Sequence, residues 1–67
     1  MKIASLYMQQ AVNDETDIEI QVALVATDTV KPLARGRWFE DKMLEWLAAD
    51  VLYCEWDLVN NKLTITI

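Results

Sequence analysis

Glu19, Glu55 and Asp57 are the residues of this 67-residue chain that come nearest to a chemically useful set. Glu55 and Asp57 stand two apart in CEWDLVNNKLTITI, residues 54–67, a spacing that puts both carboxylates on one face of a strand. Paired carboxylates can share general acid and base work or hold a divalent cation, but only in a concave site that shelters them from water. An exposed sheet face in so small a domain supplies no such shelter. The chain contains no histidine, the side chain that does most proton transfer near neutral pH and shares most zinc sites with cysteine. With one glycine it also has no glycine-rich phosphate loop. The sequence therefore predicts no catalysis, no metal and no cofactor.

Two further residue types invite chemistry. Cys54 shares a strand face with Trp56, which makes it a small core hydrophobe; a reactive thiolate needs a nearby base or cation, and its neighbours are Tyr53 and Glu55. KPLARGR, residues 31–37, holds three of the six cations. Arg35 and Arg37 flank Gly36 and form a weak anion-binding candidate; the other reading is a solvated connection, or Arg residues that pair with the protein's own acidic surface.

The net charge is −5, which repels nucleic-acid phosphates and favours a protein partner with a basic surface. A lone cysteine excludes an internal disulfide and suits a reducing compartment. MKIASLYMQQ lacks a signal-peptide core, and no apolar run approaches membrane-spanning length. These features predict a cytoplasmic protein without membrane contact.

The elements that must position these groups are read from periodicity. Residues 54–67 form a β-hairpin whose two-residue turn is Asn60–Asn61, since Asn accepts the positive φ angles required there. That register pairs Leu58 with Leu63, Trp56 with Ile65 and Cys54 with Ile67 on the apolar face. It sets Asp57 opposite Thr64 and Glu55 opposite Thr66 on the polar face. TDIEIQVALVAT, residues 16–27, alternates as a half-buried strand with Ile18, Ile20, Val22 and Leu24 on one side. KIASLYMQ, residues 2–9, reads as a further strand of undecided facing, joined to the next by the polar residues 10–16.

RWFEDKMLEWLAAD, residues 37–50, is the one long helix candidate, with Phe39, Met43, Trp46 and Leu47 in a stripe. Residues 27–36 read as a connection holding at most one helical turn. The order ββαββ predicts a single domain over residues 1–67: a two-layer α+β fold in which one helix crosses a four-stranded, mainly antiparallel sheet.

Such a fold leaves two candidate surfaces. The sheet face turned away from the helix would carry Glu19, Gln21, Glu55, Asp57, Thr64 and Thr66, with Tyr7 and Tyr53 beside them. It serves either as a solvated face or as a docking surface for a basic protein. Trp38 and Leu44 fall about 120° to either side of the helical stripe, an arc that one small sheet seldom covers, so either the fold wraps round both flanks or one flank stays exposed as an interface, with Trp38 the anchor.

These features point to a small acidic non-enzymatic protein-binding module that acts stoichiometrically on a larger intracellular partner. In size and charge it is similar to phage-encoded inhibitors of bacterial defence, anti-CRISPR proteins among them, a likeness that implies work in the host cytoplasm on a nucleic-acid-handling complex. The alternative is a homo-oligomeric structural or regulatory subunit, a homodimer at the simplest, with Trp38 and Leu44 at its interface.

Overall fold

The computed structural model describes residues 1–10 and 12–67. It is an α+β fold whose elements run α1 (Ile3–Gln9), β1 (Asp17–Leu24), β2 (Thr29–Gly36), α2 (Asp41–Leu44), β3 (Tyr53–Asp57) and β4 (Lys62–Thr66). The order is thus αββαββ. The four strands form one sheet ordered β2-β1-β4-β3. Two antiparallel hairpins, β1–β2 and β3–β4, are joined at the centre by a parallel pairing of β1 with β4, so the sheet is mixed.

Residues 2–9 form a helix and not a strand. Ile3, Leu6 and Tyr7 follow the three- and four-residue spacing of a helical face, and Ala, Leu, Met and Gln are good helix formers. Ile3 and Leu6 are buried, whereas Met8, which a two-residue period groups with Ala4 and Leu6, is exposed. The first amides of a helix have no partner within it, and here they donate outward: Ile3 N–H to the Ala49 carbonyl and Ala4 N–H to the Leu47 carbonyl, each at 3.0 Å.

The expected helix over residues 37–50 shrinks to the single turn of α2. From Met43 to Ala49 the chain winds on through turns that bond three residues back, Trp46 to Met43, Leu47 to Leu44 and Ala49 to Trp46. Such tight turns let both sides of an unusually apolar segment reach the core: Met43 is buried, and Trp46, Leu47 and Ala49 pack against it.

Residues 29–36 form β2, a full strand where a connection is expected. Pro32 and Gly36 argue against a central strand, but β2 lies on the sheet edge, where a missing N–H costs nothing. A register shift opposite Ile20 and Gln21 absorbs one extra residue beside the proline.

The closing hairpin exists with both predicted faces, yet its register is shifted by two residues. Cys54 pairs with Ile65, Trp56 with Leu63, Glu55 with Thr64 and Asp57 with Lys62. An even shift preserves the faces and lengthens the turn to residues 58–61, leaving Leu58 83% and Val59 94% exposed. The Asp57 carboxylate holds this longer turn by accepting the Asn60 backbone N–H at 3.2 Å and its side-chain amide at 2.7 Å. Asn61 alone takes positive φ there, at 50°.

One buried cluster joins the layers: Ile3 and Leu6 from α1, Ile18 and Ile20 from β1, Met43 from α2, and Leu63 and Ile65 from β4. Cys54 and Trp56 pack against its margin, half-buried.

Candidate functional site

The polar face of the sheet carries its charges in cross-strand rows. Glu19 lies between Arg35 of β2 and Thr64 of β4, with Glu55 beyond; Asp17 lies beside Lys62, with Asp57 beyond. Diagonal neighbours close ion pairs across these rows. The Arg35 guanidinium donates to both oxygens of Asp17, at 2.7 Å for the shorter contact, and Lys62 Nζ stands 3.5 Å from Glu19 Oε2. The hydrogen bond and charge of Arg35 hold the Asp17 carboxyl below its usual range.

The face is consequently less acidic outward than its composition suggests. Glu19 is engaged by Lys62, and Asp57 by Asn60 of its own turn, whose side chain and backbone N–H depress its pKa. Glu55 is exposed and has no ion-pair partner among the described residues. Gln21 donates to the buried Thr66 hydroxyl at 3.0 Å, and Tyr53, opposite Thr66, is exposed at the strand end. Tyr7 is absent from this face altogether, because it belongs to α1 and packs on the core.

Nor do Arg35 and Arg37 frame an open anion cradle. Arg35 is committed to Asp17, and the Arg37 backbone N–H already donates to Glu40 Oε1 at 2.6 Å, which lowers the Glu40 pKa. Glu40 Oε1 also lies 2.6 Å from where a Cβ on Gly36 would stand, so the glycine makes room for that carboxylate.

A different constellation gathers where α1, the 12–16 loop and the approach to α2 meet. Tyr7, Met8, Val12, Asp14 and Trp38 line an open cleft of about 280 Å³. Trp38, one of the sequence candidates, is 38% exposed and donates its indole N–H to Asp14 Oδ1 at 2.9 Å. Phe39, 48% exposed, meets it edge to face at 5.7 Å between ring centres. Leu44, the other helical-flank candidate, closes α2, half-exposed.

Asp14 is positioned by a small polar knot. Asn13 N–H donates to Thr16 Oγ1 at 3.1 Å, and the buried Thr16 hydroxyl lies 3.2 Å from Asn13 Oδ1 and 3.1 Å from Asn61 Oδ1. Asn13 Oδ1 also accepts from Glu15 N–H at 2.9 Å. The loop bearing Asp14 is thereby tied both to itself and to the β3–β4 turn. The Tyr7 hydroxyl is sealed from water without a hydrogen-bond partner among the described residues, and burial pushes its pKa up to about 12.

Helical periodicity marks Trp38 but not the residues around it. Asn-x-x-Thr in AVNDETD is a recognisable side-chain turn, and it would have fixed where Asp14 lies. The neighbouring pair Trp38-Phe39 was a second signal.

Among the described residues, no group of three or more histidine, cysteine, aspartate or glutamate side chains could hold a metal ion. Among the described residues, no helix is long and apolar enough to cross a membrane. No family model, no curated protein and no solved structure matches the chain.

Proposed function

We propose that the protein is a small acidic binding module without enzymatic activity, which acts stoichiometrically by occupying a surface of a larger partner in the cytoplasm. The observation that carries this reading is the exposed edge-to-face pair of Trp38 and Phe39, with Trp38 pinned by Asp14. A large aromatic held in one orientation at the surface loses little entropy on binding, which suits an interface anchor. The net charge of −5 favours a basic partner surface. By likeness of size and charge to phage-encoded inhibitors, that partner belongs to a nucleic-acid-handling or defence complex of the anti-CRISPR target type.

The test is quantitative capture from bacterial lysate by three folded baits: wild type, Trp38→Ala with Phe39→Ala, and Glu55→Lys with Asp57→Lys. Wild type should retain a nucleic-acid-handling protein near one-to-one, and the aromatic variant should lose it. The sheet variant should retain it, with association slowed through overall charge alone. Equal retention by all three baits, or none by wild type, would sink the proposal.

Self-association is the second reading. The β1–β2 hairpin extends past the β1–β4 pairing, and its tip exposes Leu24, Val25 and Val30 beside Tyr53. A concentration-dependent mass in light scattering, abolished by Val25→Lys with Val30→Lys, would support it.

A further inference from the structure

The geometry points to the Tyr7–Trp38 cleft as a socket for a single arginine side chain presented by the protein partner. This deepens the binding-module reading and rests on it. Two aromatic side chains, Tyr7 and Trp38, line the cleft together with Met8, Val12 and one carboxylate, Asp14. Asp14 Oδ1 is occupied by the Trp38 indole, which leaves Oδ2 available beside the ring. A guanidinium can lie against an aromatic face and donate in its own plane to a carboxylate, whereas an ammonium has no plane to stack.

The surrounding charge agrees with a cationic occupant. Asp14 makes no ion pair among the described residues, and the next residue, Glu15, is likewise exposed and unpaired. Four of the six cations are spent elsewhere, Lys2 on Asp50, Arg35 on Asp17, Lys42 on Glu40 and Lys62 on Glu19. The nearest remaining cation in sequence is Arg37, which adjoins Trp38 and whose charge acts on Asp17 and Glu40. An acidic partner side chain would find no free cation among the cleft's lining residues.

The experiment titrates the ¹⁵N-labelled protein with blocked tripeptides of the form glycine–X–glycine, X being arginine, lysine or the neutral arginine isostere citrulline. The indole N–H of Trp38 is assigned by its loss in Trp38→Phe. The arginine peptide should shift that signal with a Kd on the order of millimolar, and citrulline should bind at least about tenfold more weakly. Asp14→Asn keeps an oxygen for the Trp38 indole and removes only the charge; it should weaken the arginine peptide about five- to tenfold. Tyr7→Phe retains the ring wall and should bind as wild type, whereas Tyr7→Ala should not bind. Should citrulline or lysine match arginine, or Asp14→Asn leave its Kd unchanged, or no signal move, the socket is refuted.

Competition separates this inference from the broader one. A captured partner that neither the arginine peptide nor Asp14→Asn displaces would refute the socket and leave the module standing. Peptide binding with no protein retained in capture would do the reverse.

Discussion

Replacing Thr16 by valine should destabilise the protein by about 1–2 kcal/mol while leaving side-chain volume unchanged. Thr16 is fully buried, and its hydroxyl accepts from Asn13 N–H and shares one proton between the Asn13 and Asn61 amide oxygens. Valine removes about two hydrogen bonds' worth of net stabilisation, roughly 1–3 kcal/mol. A buried methyl in place of the hydroxyl returns at most about 0.8 kcal/mol. A chain of this length has a total stability of about 3–10 kcal/mol, so the remainder matters. At roughly 4–8 °C per kcal/mol, the thermal midpoint should fall by about 5–15 °C in a circular-dichroism melt. Thr16 and Asn61 are 45 residues apart, so a double-mutant cycle with Asn61→Gly tests the tie itself. Glycine keeps the positive φ of Asn61 and deletes only the amide acceptor. The cycle should show a coupling of at least about 0.5 kcal/mol. A valine variant melting with the wild type, or strictly additive effects, would refute the account of the knot.

Three further outcomes follow from the same structure. Tyr7→Phe should be as stable as wild type or slightly more so at neutral pH, since it deletes a buried hydroxyl with no partner among the described residues. The folded Tyr7 pKa of about 12 lies above the ordinary value of 10.0, so its contribution is complete below pH 10 and is lost as pH rises towards 12. Urea melts across that window should show an alkaline loss in wild type that is reduced in Tyr7→Phe. At the acid end, Asp17, Glu40, Asp50 and Asp57 are all depressed, so their contributions are present above the usual carboxylate range and lost as pH falls below it through the lowered folded values. Asp17→Asn should flatten that acid limb, checked by melts between neutral pH and the onset of acid unfolding. Ile65→Ala empties a fully buried central position and should cost about 2–5 kcal/mol, enough to unfold much of the population in chemical denaturation.

The parts of the fold legible in the sequence were those where local alternation and tertiary burial agree. Ile18 and Ile20 of β1, and Leu63 and Ile65 of β4, alternate in sequence and are buried as that pattern requires. Where a segment satisfies two periods, local reading failed. Ile3, Leu6 and Tyr7 fit a helix while Ala4, Leu6 and Met8 fit a strand, and only the partners offered by Leu47 and Ala49 decide. The opposite error befell β2, whose proline and glycine signal a break that an edge position tolerates. Residues 37–50 are apolar on too many sides for one helix, a conflict visible in the sequence whose resolution by tight turns was not. Glu19, Glu55 and Asp57 share one side of the sheet, as strand alternation requires. The pairing of Arg35 with the acidic surface is one of the two readings its sequence allows, whereas the Lys62–Glu19 pair depends on the parallel seam between β1 and β4, which local pattern does not reveal.

The parallel seam between β1 and β4 also governs how this chain reaches its native state. Each hairpin closes across a short turn and can form within microseconds. The seam joins residues 45 apart, as in Gln21 with Thr66, and closing a loop of that length costs about 3 kcal/mol of chain entropy before any contact compensates it. Both of its strands are central, so neither hairpin alone can shelter Ile20 or Ile65 from water. Formation of this seam is therefore the step expected to limit folding. Substitutions along the seam should slow folding, and those at the hairpin tips should mainly change how fast the protein comes apart.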